Sequence, residues 1–274
     1  MRKKTLTSVL LHTALVLGAV ITLLPLVWMI MASFMPTGEA SSEPPPFFPS
    51  RVTLEHYREL FIHLNIGRVL FNSALLAVSV TVLSVLLNAM AGYAFAKLRF
   101  PGRGKIFGFL LAALVLPSQV AILPLFLLMR QLGLIGSYWG VILPGMTTIF
   151  GIFLVRQYAL SIPDELLDAA RIDGAGEVHI FAQIVLPLCR PILVTLAIFT
   201  FLGTWNDFFW PLVVLADDAK YTLPVALANL FGEHVQDTEL MMAGSVLTVM
   251  PVLLLFLFLQ RHYVQGLLMG GLKE

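Results

Sequence analysis

The chain has 274 residues, 58% of them hydrophobic and only 12% charged, with a formal net charge of +1. An ordinary soluble domain carries roughly 25% charged residues, so the composition excludes one. The near-neutral balance also excludes a nucleic-acid partner, which requires a basic footprint. The single cysteine, Cys189, excludes an internal disulfide.

The first apolar block, 9–34, follows a basic start of Arg2, Lys3 and Lys4. It is longer than the about 7–15 residues of a signal-peptide core and contains Pro25 and Trp28, so a retained helix is expected. Acidic and basic residues are absent from 5–38, 69–96, 106–129, 131–155 and 240–260, and 191–216 carries Asp207 alone. A spanning helix needs about 20 apolar residues. Six spanning helices are therefore predicted, at about 9–34, 69–96, 106–129, 138–158, 191–216 and 240–260. Hydrocarbon admits no open sheet, and no block alternates as a barrel strand would. The predicted fold class is an all-α polytopic membrane protein. One transmembrane domain over 1–274 is expected, because no soluble piece is large enough for its own core.

The segment 35–68 begins with a proline-rich extended stretch, Glu43 to Pro49. Leu54, Tyr57, Phe61 and Leu64 then recur at helical spacing, which predicts a short helix on the membrane surface. In the second block, Ser73, Ala77 and Thr81, then Ser84, Asn88 and Gly92, recur at four-residue spacing. Small side chains at that spacing permit close helix packing; the same polar groups are also candidates for a translocation path. Trp28, Trp139 and Trp210 read as interface anchors.

No engine is visible in the sequence. Gly102-Arg103-Gly104-Lys105 lacks the spacing of a phosphate loop and reads as a basic turn attracted to anionic lipid. The six histidines, His12, His56, His63, His179, His234 and His262, show no metal-ligand spacing, and no metal site is expected. No nucleophile elbow or other catalytic constellation is present, so the chain is expected not to be an enzyme. Placing the N-terminus inside puts twelve Lys and Arg on inner segments and five on outer ones. Both termini are thus expected in the cytoplasm.

The loop 161–190 then lies inside, and it holds five of the sixteen acids. Ser161 is expected to cap a helix, with Pro163 tolerated in its first turn. Asp164, Glu165 and Asp168 put negative charge near that helix's positive end. Gly174 and Gly176 are expected to end it. Val178, Phe181, Val185 and Leu188 mark a second helical stretch, broken by Pro187 and Pro191. On the first helix Leu166, Ala169, Ala170 and Asp173 share a face. Such a face suits docking of a partner, and equally an ordinary loop packed on its own helix ends.

The order Asp168-Ala169-Ala170, Gly174, Ile184 and Leu186-Pro187 resembles the EAA loop of ABC importer permeases, with Asp168 where that family usually has Glu. Asn72-Ser73, the run Ala91 to Ala96, Phe100-Pro101-Gly102, Leu132-Gly133-Leu134 and Trp205-Asn206-Asp207-Phe208 with Pro211-Leu212 resemble the carbohydrate branch. The ending, Gly266-Leu267 with Gly270 and Lys273, resembles the tails of maltose-type second permeases. The resemblance implies a type I importer permease fold. It implies that Glu165, Leu166, Asp168, Ala169, Ala170 and Gly174 couple to ATP-binding subunits, and that Gly266, Leu267 and Gly270 reach the interface between them.

The resemblance implies further partners: a second, related permease chain forming a heterodimer, two ATP-binding subunits holding ATP and Mg, and an extracytoplasmic solute-binding protein. No cofactor is expected on this chain, and the location is the bacterial inner membrane. The implied function is half of the pore of a sugar importer, for di- or oligosaccharides. The alternatives are the same architecture for another solute, such as glycerol-3-phosphate or its diesters, and a non-transporting scaffold. For the substrate path the candidates are Asn88, Gln119, Trp205, Asn206 and Asp207. Asp207 either meets a sugar hydroxyl or bonds backbone at a helix break near Pro211.

Overall fold

In a computed structural model, residues 2–63, 65–233 and 237–271 are described, the side chains of 2–7, 9, 63, 118, 231, 233 and 259–271 excepted. Among the described residues every regular element is helical. The order begins with α1 (Arg2–Ala32), α2 (Glu55–His63), α3 (Ile66–Lys97), α4 (Arg103–Ala113) and, after a 3-10 turn at Ser118–Ala121, α5 (Ile122–Gln131). Next come α6 (Trp139–Gly145), α7 (Ile149–Ala159), α8 (Asp164–Ile172), α9 (Glu177–Ile180), a π turn at Phe181–Val185 and α10 (Leu186–Leu188). The order closes with α11 (Arg190–Trp205), α12 (Phe209–Val214), a 3-10 turn at Asp218–Lys220, α13 (Leu223–Glu233) and α14 (Thr238–Gly271).

Four stretches among the described residues are long and apolar enough to cross a bilayer: Leu10–Ala32, Ile66–Lys97, Trp139–Ala159 and Thr238–Phe258. A fifth arises only if Glu177–Leu188 and Arg190–Trp205, bent by 78°, count as one span. Four of the six expected spans are thus met by length and composition among the described residues, and a fifth as a bent pair. The block at 106–129 is apolar but not one helix. Pro117 denies its N–H to the helix before it and pushes Leu116 out of the helical region, and Pro124 sits in the first turn of α5. The fourth block is interrupted at 146–148, where the Thr148 hydroxyl accepts the Gly151 N–H (3.0 Å) and restarts the helix as α7. The bend before α11 falls at Cys189, two residues ahead of Pro191, as the prolines predicted.

The chain divides into two compact units, Met1–Gly67 with Ala226–Leu253, and Arg68–Val225 with Leu254–Glu274. In the first, Ala32, Met35 and Ala40 form a small core joined by Trp28 and Met242. The Trp28 indole donates to the Pro46 carbonyl (3.1 Å), so this ring is tied to the chain's own backbone. The predicted surface helix is α2, but its buried face is His56 and Leu60; Leu54 and Phe61 are exposed, and Leu64 lies outside the described residues.

The second unit has two cores. One gathers Tyr93, Val155, Leu167, Ile180, Val185 and Leu196. The other gathers Leu76, Val80, Val141, Ile142, Val214 and Leu215. The small-residue stripe of α3 packs, as its spacing predicted: Ser73, Ala77, Ser84 and Asn88 are buried. A Cβ on Gly92 would lie 2.7 Å from that of Val155, so the absence of a side chain there sets how closely α3 and α7 approach. Trp210 is half-buried and donates to the Gly140 carbonyl (3.0 Å); Trp139 is exposed.

Candidate functional site

The loop after α7 is built on bonds to the end of α3. Ser161 donates to the Tyr158 carbonyl (2.7 Å) and so closes α7 instead of capping α8; the residue before α8 is Pro163, whose side chain accepts nothing. Lys97, in the last turn of α3, donates to the Ile162 carbonyl and to the Asp164 carboxylate (2.7 Å). That ammonium holds the Asp164 carboxyl below its usual range. At the far end of α8, Arg171 donates to Asp168 (2.7 Å) and Glu177 (2.8 Å), bonds that hold its own pKa above the usual guanidinium value. The Tyr93 hydroxyl donates to the other oxygen of Glu177 (2.6 Å).

The end of α8 is a Schellman turn. Ala175 N–H reaches the Ala170 carbonyl (2.9 Å) and Gly174 N–H the Arg171 carbonyl (3.0 Å). Gly174 has φ +87°, the left-handed conformation its position predicted. Gly176, by contrast, is extended and opens α9.

The two faces of α8 differ sharply. Leu167 is 1% exposed and joins the core with Ile162, Ile180 and Val185. On the other side Glu165, Ala169 and Asp173 are exposed, and Leu166 is 44% and Ile172 85% exposed. Val178, just beyond the turn, is 82% exposed. Of the face predicted from spacing, Leu166, Ala169 and Asp173 stand free, whereas Ala170 is half-buried against the core. Asp168 is exposed but engaged by Arg171. Ile172 and Val178 were absent from the predicted face. Their signal is a β-branched apolar residue amid polar neighbours, which reads as core until the fold leaves it uncovered.

The proposed path residues do not converge. Asn88 is consumed by packing: it donates to Ser84 (2.8 Å) and accepts from the Thr148 N–H (3.1 Å). Gln119 is exposed on the 3-10 turn ahead of α5. Trp205 is buried and stacked on Phe201, ring centres 5.8 Å apart. Asn206 donates back to the Leu202 carbonyl (2.9 Å) at the end of α11. Asp207 lines a cavity of about 200 Å³ with Val80, Val141, Pro144, Gly145, Thr204 and Trp210. One of its oxygens accepts the Trp210 N–H (3.3 Å), bridging the break between α11 and α12.

Asn72-Ser73 also has a defined task. The Asn72 amide donates to the Ala219 and Tyr221 carbonyls (3.0 and 3.1 Å) and accepts from Tyr138 (2.8 Å), and Ser73 accepts the Leu223 N–H (2.7 Å). Gly266, Leu267 and Gly270 fall in α14, but their side chains lie outside the described residues.

A multi-pass apolar chain with one braced, half-bare helix has known counterparts. The family described as binding-protein-dependent transport system inner membrane component matches residues 85–268. The chain belongs to this family. Among similar permeases is the arabinooligosaccharides transport system permease protein AraQ of Halalkalibacterium halodurans, 41% identical with both chains covered in full. The diacetylchitobiose uptake system permease protein NgcG of Streptomyces coelicolor is 36% identical over 96% of this chain and 88% of its own. A chain in the crystal structure of a bacterial ABC transporter involved in alginate import superposes with a TM-score of 0.84, covering 96% of this permease and 98% of that chain. At 23% identity that likeness is one of fold, and the shared architecture is all-α among the described residues.

Proposed function

We propose that this permease forms half of the pore of an ATP-driven importer of di- or oligosaccharides. In this reading the chain works as one transmembrane domain beside a second, related permease. Two ATP-binding subunits carry ATP and Mg, and an extracytoplasmic binding protein delivers the solute. Both termini and the loop 161–190 face the cytoplasm of a bacterium. Glu165, Leu166, Asp168, Ala169, Ala170 and Gly174 form the coupling surface, and the tail at Gly266, Leu267 and Gly270 reaches the ATPase pair. The sugar class rests on the names of the similar permeases.

The observation that carries the reading is the exposure of the apolar Leu166 and Ile172 on α8, which ion pairs brace at both ends, and of Val178 just beyond its turn. Apolar side chains left in water on a charged loop mark a contact surface. The Lys97–Asp164 and Arg171–Glu177–Tyr93 bonds let a push on that surface travel into α3. Tagged permease purified from its native membrane is expected to bring down ATP-binding subunits and a second permease. Ile172→Asp is expected to release the ATPases while the permease remains in the membrane. ATPases retained at full yield by that variant would overturn the docking assignment. Uptake of labelled oligosaccharides is expected to cease on deletion of the chain and return with its re-expression; uptake that persists in the deletion strain would overturn the transport assignment.

A further inference from the structure

The first unit contains a side-chain cluster that transport coupling leaves unused. The helix α2 presents His56 and Glu59 three residues apart on one face, and Asp237 stands at the start of α14. One ligand atom from each lies within 4.8 Å of the other two. The His56 ring is 1% exposed, and its Nε2 sits 2.9 Å from the Met35 carbonyl. A carbonyl only accepts, so Nε2 carries the hydrogen and donates. In the neutral ring Nδ1 then presents a bare lone pair. That nitrogen is buried and has no hydrogen-bond partner. The nearest Asp237 oxygen is 3.9 Å away, too far for a hydrogen bond.

We propose that His56 Nδ1, Glu59 and Asp237 bind a divalent transition-metal ion of the zinc class. A metal-bound histidine characteristically donates its other ring N–H to a backbone carbonyl, which fixes tautomer and orientation, and Met35 supplies that acceptor here. Zinc takes imidazole nitrogen and carboxylate oxygen at about 2.0–2.2 Å, so at tetrahedral angles its ligand atoms stand roughly 3.3–3.6 Å apart. Nδ1 and the Asp237 oxygen, at 3.9 Å, come within a few tenths of an ångström of that spacing, a gap that a small side-chain movement closes. Glu59 and Asp237 are partly exposed, which gives the ion a route in and leaves room for a water as fourth ligand. The ion would fasten α2 to the start of α14. Direct bonds already join the loop ahead of α2 to the same start of α14: Glu239 accepts the Ala40 N–H (2.6 Å) and the Ser41 and Thr238 hydroxyls are 2.9 Å apart. No spacing rule reveals the cluster in the sequence, because Asp237 is remote from α2.

The test uses the full chain in detergent with any affinity tag removed. The protein is stripped with a chelator, reloaded with zinc, desalted, and its zinc measured by mass spectrometry beside its Tm. One ion per chain and a Tm raised by zinc are expected. His56→Gln keeps an N–H donor near the Nε2 position for Met35, and Asp237→Asn keeps the side-chain oxygen that accepts the Leu240 N–H (2.8 Å) at the start of α14. Each should lower zinc affinity by at least the roughly 10–100-fold that loss of even an outer partner produces. Each should also abolish the zinc-dependent Tm shift while leaving the metal-free Tm close to that of the parent. Should one variant fail to fold, the other decides. No retained zinc in the parent, or zinc retained equally by the variants, would overturn the site.

Discussion

Three positions show how differently single residues act in this permease. At Gly174 the space is open, and an added Cβ would meet nothing within 4 Å; the constraint is the φ of +87° alone. A left-handed conformation costs an ordinary L-residue about 1–2 kcal/mol, and Asn pays less than most. Gly174→Leu should therefore lower thermal stability and ATPase co-purification, and Gly174→Asn should lower both less; equal losses in the two variants would count against the conformational cause. Gly92 is the opposite case, since a Cβ there would sit 2.7 Å from the Val155 Cβ and 3.0 Å from the Arg156 nitrogen. Gly92→Ala should cost about 1–3 kcal/mol by overpacking, read as a fall in Tm. Asp164 is fully exposed, and Lys97 depresses its pKa. A depressed carboxylate contributes above its unfolded pKa and loses that contribution as pH falls through the folded value. The tie should thus be intact at neutral pH and fail only in acid below about pH 4, a loss that Asp164→Asn makes permanent. Both glycines and Asp164 were legible as special in the sequence. Which of the two mechanisms held each glycine was not, because φ and neighbour distance belong to the folded chain.

At the scale of elements, α8 carries the clearest division of labour. Adjacent leucines point opposite ways: Leu167 is sealed in the core and Leu166 is open. Leu167→Ala should cost roughly 2–5 kcal/mol of stability, as buried leucines do. Leu166→Ser should change stability by less than about 0.5 kcal/mol, yet weaken ATPase capture. Measuring Tm beside co-purification for both variants separates support from docking; a Tm loss in Leu166→Ser equal to that of Leu167→Ala would contradict the faces described. Helical spacing found most of the open face in advance but took Ala170 as free, since spacing gives an angle around the helix and not what stands opposite it. The same limit explains the broken blocks. Hydropathy reports the free energy of burying side chains, whereas continuity depends on backbone N–H groups, and Pro117, Pro144 and Pro191 remove them inside stretches that remain apolar throughout. His56 shows the limit again, because its candidate co-ligand Asp237 enters only through the fold.

For the molecule as a whole, the exposed apolar area describes its surroundings. The most apolar part of Leu10–Ala32 is left wholly unburied by the chain itself, and only 39% of that of Ile66–Lys97 is buried. So much bare aliphatic surface requires lipid or a second permease against it. The proposed orientation rests on charge: it gathers twelve of the seventeen Lys and Arg on inner segments. The one native cysteine, Cys189, is 1% exposed, so it gives little background to a thiol reagent. Asp173 and Asp218 are both exposed, at the end of α8 and in the turn after α12. Asp173→Cys should react with a membrane-impermeant maleimide only after the cells are opened, because the proposed topology puts the loop 161–190 inside. Asp218→Cys should react in intact cells. The reverse pattern would invert the proposed topology, put Leu166 and Ile172 out of the reach of a cytoplasmic ATPase, and so overturn the proposed docking surface.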